Sequence, residues 1–191
     1  MSIHGEHPFL PPVGERDPLR RWRGRMPAPV SIWTSTLDGR STGWTISSFL
    51  LAEGRPPEVV GLLDEEADFA DQLRSTRRFA VSLLAGSHRQ LADVFAGLAP
   101  APGGMFTVGS WRQTGWGPVL DDAVGWLGAT VTTAEPGQAH SERAGWALLV
   151  RGVVEHTELA EPDARGVLCS FRGRYTALGA GPADTAANLR P

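Results

Sequence analysis

Apolar and polar positions alternate with a period near two along most of this chain, the pattern of half-buried β-strands. Residues 29–36 (PVSIWTST) form one such run. They are followed by Asp38-Gly39, a strong turn pair, and by STGWTISSFL at 41–50, so 29–50 predicts a β-hairpin that Pro56-Pro57 stops. EVVGLL (58–63) and FAVSLL (79–84) predict two further strands. Between them Asp and Glu gather at 64–68, and Arg74, Arg77 and Arg78 gather at the far end, the charge distribution that a helix dipole favours. A second helix is predicted over SHRQLADVFAGLA. Ser87 and Gln90 there make a capping-box pattern, and Leu91, Val94, Phe95 and Leu98 share one face. The second half returns to strands: 105–111, 123–133 and 145–158 around a Pro136-Gly137 turn, and 166–178 as a closing segment. Gly109, Gly125, Gly128 and Gly152 suit strongly bent strands. Many antiparallel strands with two helices predict a mainly β fold, a barrel rather than a doubly wound parallel sheet.

Composition narrows this picture. The chain has 191 residues, enough for one domain with a full core. Residues 1–18 and 179–191 are rich in small, polar and Pro positions and are expected to be flexible tails around a folded body at 19–178. Eighteen basic residues against 21 acidic ones leave no excess positive charge for a phosphate backbone, so a nucleic-acid partner is not expected. One cysteine, Cys169, excludes an internal disulfide and fits a reducing compartment; it is expected to be a buried, inert thiol. No apolar run approaches a membrane span and the N-terminus has no signal-peptide core, so a soluble cytoplasmic protein is expected. Metal-ligand spacing, phosphate-binding glycine patterns and a nucleophile elbow are all missing. His88, early in the second helix, reads as exposed.

The chemistry-bearing stretch is 41–50. It is uncharged, holds five hydroxyl residues, and mixes them with Trp44, Ile46, Phe49 and Leu50, which have strand propensity. From the residues alone these hydroxyls either satisfy neighbouring backbone at a strand end or present donors to a ligand.

Five motifs in one order resemble the flavin reductase-like, FMN-binding split-barrel family. PVSIWTS is similar to its first strand, G-x-T-x-S-S-F at 43–49 to its flavin-binding stretch, and RRFAVSLL to its fourth strand. GWGPVL with AVGWLGATV is similar to its G-x-P-L-L segment and the following strand, and FRGRYTALG at 171–179 to its closing segment. The resemblance spans roughly residues 20–179. It implies a flavin reductase-like split barrel acting as a flavin-binding oxidoreductase, with FMN as cofactor, FAD as the alternative flavin and NAD(P)H as reductant. It further implies a homodimer with flavin sites near the subunit interface and a monooxygenase partner that receives reduced flavin. A non-enzymatic flavin- or ligand-binding barrel is the competing reading. The cofactor-binding residues that the resemblance implies are Thr45, Ile46 (through its backbone), Ser47 and Ser48, with Ser31, Trp33 and Thr34 on the first strand and Phe171 and Arg172 walling the pocket. Trp33 and Trp44 stack on a ligand or belong to the core.

The chain departs from the family pattern twice. Where reductases of the family carry S-x-T for the flavin phosphate, Ala67-Asp68-Phe69 stands inside DEEADF, and carboxylates repel a phosphate. Arg25, Arg55, Arg74 and Arg172 are the candidate replacements. Where NAD(P)H-using relatives carry Gly-Asp-His, this chain has Gly145-Trp146-Ala147. His140 and His156 lie nearby and read as solvated surface residues, and the reading expects weak use of NADH and NADPH.

Overall fold

The computed structural model describes residues 18–132, 142–161 and 165–179. Of the expected tails at 1–18 and 179–191 all but Pro18 and Gly179 lie outside the described residues, as do the Pro136-Gly137 turn and His140. One antiparallel sheet carries the fold. Along it run β3 (Arg40–Ile46), β2 (Ser31–Leu37), β6 (Arg78–Leu83), β9 (Gly125–Val131), β11 (Ala147–Leu159), β5 (Glu58–Leu63) and β4 (Phe49–Ala52), with β10 (Glu142–Ala144) added on β11. Its two end strands, β3 and β4, are consecutive in the chain and joined only by Ser47 and Ser48. The sheet therefore curls into a barrel with a seam that no backbone ladder closes, an antiparallel split barrel. The predicted hairpin at Asp38-Gly39 is present, with both residues at positive φ and β2 and β3 in register from Ser31↔Ile46 to Leu37↔Arg40.

Side chains of one strand parity fill the barrel. Trp33 is fully buried, stacked on Phe79 at 4.8 Å and met edge-on by Phe49 at 6.3 Å. Gly61 faces it across the interior, and a Cβ there would lie 2.6 Å from the indole ring. Helix α2 (Asp68–Thr76) packs Phe69, Ala70 and Leu73 into this same core. The opposite parity faces outward onto a second core, where Ile32 and Val30 meet Leu91, Val94 and Phe95 of α3 (Arg89–Phe95). A small sheet of β1 (Ala28–Pro29), β12 (Val167–Phe171) and β13 (Arg174–Leu178) closes that side.

Four local expectations are corrected. A third helix, α1 (Pro18–Arg23), precedes β1. Residues 105–111 are not a strand: Met105–Thr107 is a single 3-10 turn, and only Trp111–Gln113 (β7) pairs, with Pro118–Leu120 (β8). Gly109 within this segment, and Gly103 and Gly104 just before it, have positive φ, outside regular strand geometry. The run 41–50 breaks at Ser47-Ser48 into β3 and β4. The capping box is not formed, since His88 stands at the N-cap of α3 without a side-chain cap.

Candidate functional site

Most hydroxyls of the predicted polar stretch are committed to the protein itself. Ser31, fully buried, donates to the Ile46 carbonyl at 2.9 Å and accepts from the Trp33 indole N–H at 3.0 Å. Thr34, also fully buried, donates to the Pro118 carbonyl at 2.5 Å. Thr45 donates to the Ala92 carbonyl on α3 at 2.9 Å, and Ser48 to the Leu62 carbonyl at 3.1 Å while the Leu62 N–H bonds the Ser48 carbonyl. Ile46 is buried in the barrel core. Ser47 differs: half-buried at the seam, its hydroxyl has no partner among the described residues.

Trp33 turns both its ring face and its N–H to the interior, so it is a core residue and leaves no face for a ligand. Trp44 packs partly buried against the same core. Among the residues assigned to the site from the sequence, then, Ser47 and the closing hairpin carry polar groups without a hydrogen-bond or ion-pair partner among the described residues.

That hairpin, β12–β13, turns on Arg172 and Gly173, both at positive φ. Phe171, Arg172, Arg174, Tyr175 and Thr176 line a shallow groove along it. The Arg172 guanidinium lies 5.2 Å above the Phe171 ring, and the Arg172 N–H bonds the Gly24 carbonyl at 2.8 Å. Burial, and then the neighbouring Asp93 carboxylate on α3, push the Tyr175 hydroxyl up to about 12. The hairpin adjoins the seam through β1: Pro29 and Ala28 pair with Cys169 and Ser170, and the next element, β2, begins at Ser31 opposite Ile46.

The two departures are neighbours in space. The acidic loop before α2 has Asp64 accepting from the Glu66 N–H, and Glu65 pairs with Arg143 of β10 and approaches Arg74 at 4.0 Å. Gly145-Trp146 is the tight turn between β10 and β11, with Gly145 at φ 66 and Trp146 97% exposed. Trp146 is thus a surface residue in this chain, and Ala147 opens β11.

The reading of His88 as exposed is corrected. His88 is buried, its Nδ1 accepting from the Ala85 N–H at 3.1 Å and its Nε2 bonded to Asp122 at 3.0 Å. His156 is half-buried between Trp116, on which it stacks at 5.6 Å, and Trp126 at 4.5 Å. Trp116 lies flat over Gly128, where a Cβ would meet the ring at 2.3 Å. Gly128 within a strand was the only signal of that packing in the sequence. The Trp116 indole N–H donates to Glu155 at 2.8 Å and, with Thr130 beside it, holds that carboxyl below the usual range. Cys169 is buried, and burial raises its thiol.

A family model described as flavin reductase like domain matches residues 23–179. The chain belongs to this flavin reductase-like family. Among curated relatives it is 29% identical over 114 residues to an FMN reductase (NADH) RutF of Ancylobacter novellus; the match covers 59% of this chain and 62% of that relative, less than two thirds of its length. Among solved structures, the NADH:FAD oxidoreductase SgcE6 of Streptomyces globisporus, in complex with NAD and FAD fragments, superposes with a TM-score of 0.73 at 22% identity, covering 88% of this chain and 93% of that one. BorF, the flavin reductase component of a bacterial two-component tryptophan halogenase, superposes with a TM-score of 0.71 at 20% identity over 84% and 96% of the two chains. The flavin reductase-like chain thus has the split-barrel fold of its family, and its family membership covers the seam and the closing hairpin alike.

Proposed function

We propose that this chain binds a flavin nucleotide, FMN or alternatively FAD, at the seam between β3 and β4, and that NADH or NADPH reduces it there. The observation that carries the reading is Ser47: a half-buried hydroxyl without a partner among the described residues, at the break in the barrel wall between β3 and β4, inside the segment that the family model matches. A flavin's polar edge needs such donors, and its rings need apolar surface beside them. A bound flavin would supply two-electron, hydride-accepting chemistry. The chain's residues bind and orient: Ser47 donates to the flavin edge, and Phe171 walls the pocket. No side chain need move a proton for the hydride step, which is why loss of Asp and His at 146–147 leaves reduction open but weak.

The reading includes a homodimer, supported by the exposure of the large apolar side chains Leu50 at 58%, Leu62 and Trp146 at 97%. It includes a cytoplasmic location and a flavin-dependent monooxygenase or halogenase that takes the reduced flavin, as the naming of BorF suggests. Among the described residues no helix is long and apolar enough to cross a membrane. The absorption spectrum of the purified protein tests the reading. A flavin spectrum that NADH bleaches supports a reductase, a flavin spectrum that neither NADH nor NADPH changes supports a non-enzymatic carrier, and failure to take up added riboflavin or FMN ends both.

A further inference from the structure

We propose that the closing-hairpin groove between Arg172 and Arg174 binds the phosphate group of the nucleotide ligand, in place of the loop before α2. The inference rests on the flavin-binding reading above and assigns the anion to a particular site. The loop before α2 presents Asp64, Glu65, Glu66 and Asp68, and its nearest cations are already neutralised, Arg74 by Asp71 and Glu65 and Arg143 by Glu65. A phosphate there would face like charge.

The groove is the reverse case. Neither Arg172 nor Arg174 has a carboxylate within ion-pair distance among the described residues, whereas Arg112, Arg151 and Arg165 pair with Glu158, Glu58 and Asp122. The Arg172 backbone is fixed by its N–H bond to the Gly24 carbonyl, and its guanidinium lies over the Phe171 ring. The half-buried Thr176 offers a hydroxyl without a partner among the described residues, and the one adjoining carboxylate, Asp93, lies beside the Tyr175 hydroxyl. The bond to Gly24 also places the backbone of 20–25, RRWRGR, next to the hairpin, so a chain of net charge −3 concentrates positive charge here. All 18 basic residues are arginines, whose planar fork matches phosphate oxygens two at a time. The three steps from Ser31 back to Ala28, which pairs with Ser170, span about 10 Å of strand. That is the scale of the ribityl chain separating a flavin ring at the seam from its phosphate.

The phosphate is that of FMN or the pyrophosphate of a dinucleotide, and binding measurements separate them. Affinities for FMN and riboflavin are compared in the wild type, Arg172→Gln, Arg174→Gln and the double variant, with Arg→Lys at each position as partial rescue. The wild type should prefer FMN over riboflavin by roughly tenfold or more, a preference that weakens with added salt and vanishes in the double variant. If instead the FMN preference persists in the double variant and the KM for NADH, measured with riboflavin as acceptor, rises, the groove holds the dinucleotide's pyrophosphate. If neither changes, the proposal is overturned. Should neither flavin bind at all, the flavin reading falls. The groove is then judged by inorganic pyrophosphate: a rise in the wild-type Tm that the double variant lacks upholds an anion site, and equal behaviour of the two removes it.

Discussion

The hairpin β2–β3 and the seam that follows it are built from the same residue types and do opposite things. On the hairpin, Ser31, Thr34 and Thr45 each donate to a backbone carbonyl, and their neighbours Trp33 and Ile46 are core. At the seam, two residues further on, Ser47 donates to nothing among the described residues, and the adjoining hairpin carries two arginines without carboxylate partners. Density of hydroxyls marks where a curled sheet needs internal hydrogen bonds. Capacity for a ligand resides where polar groups are left over.

The strongest way to break this contrast is at Trp33. Trp33→Ala removes the ring that stacks on Phe79 and should destabilise by about 3–5 kcal/mol in urea unfolding. Gly61→Ala, which drives a Cβ into the same ring, should cost about 1–3 kcal/mol. Neither should alter flavin affinity once corrected for the folded fraction; a specific loss of affinity in Trp33→Ala would return the indole to the binding site. Ser31→Ala and His88→Ala come next. Each strips a buried backbone group of its partner, the Ile46 carbonyl or the Ala85 N–H, and should cost about 1–3 kcal/mol, measured by the shift in denaturation midpoint.

Ser47→Ala sharpens the comparison from the other side. It should leave stability within the range of ordinary surface changes while weakening flavin binding roughly threefold to tenfold, read by fluorescence titration. Ser48→Ala, whose hydroxyl is bonded to Leu62, should do less to binding than Ser47→Ala. Equal effects of the two would remove the distinction between committed and uncommitted hydroxyls.

The smallest effect concerns Tyr175, the only tyrosine of the chain. Its folded pKa, about 12, lies above the ordinary value of 10, so the folded state keeps a proton that the unfolded state gives up. The contribution is therefore fully present below pH 10 and lost as pH rises through 12. The group is only partly buried and the effect is correspondingly modest. The denaturation midpoint of the wild type should fall over that window more than that of Tyr175→Phe, and the ultraviolet titration of the single phenol should be displaced upward in the native protein.

Much of the fold was legible in the chain. Period-two alternation interrupted by Asp38-Gly39 and Pro56-Pro57 determined β2, β3 and β5, and the charge gradient from Asp68 to Arg74 determined α2, because these signals act between residues a few positions apart. The same local signals misread 105–111, where Gly109, with Gly103 and Gly104 just before the segment, turns the backbone out of strand geometry. For the site, the sequence marked the right neighbourhood and could not rank its members. Thr34 is satisfied by a carbonyl 84 residues away, Thr45 by one 47 away, and His88 by Asp122, 34 away. Whether a hydroxyl, an imidazole or a guanidinium remains available to a ligand depends on such distant partners, so only the tertiary structure decided that, among the described residues, Ser47 has no hydrogen-bond partner and Arg172 and Arg174 no carboxylate.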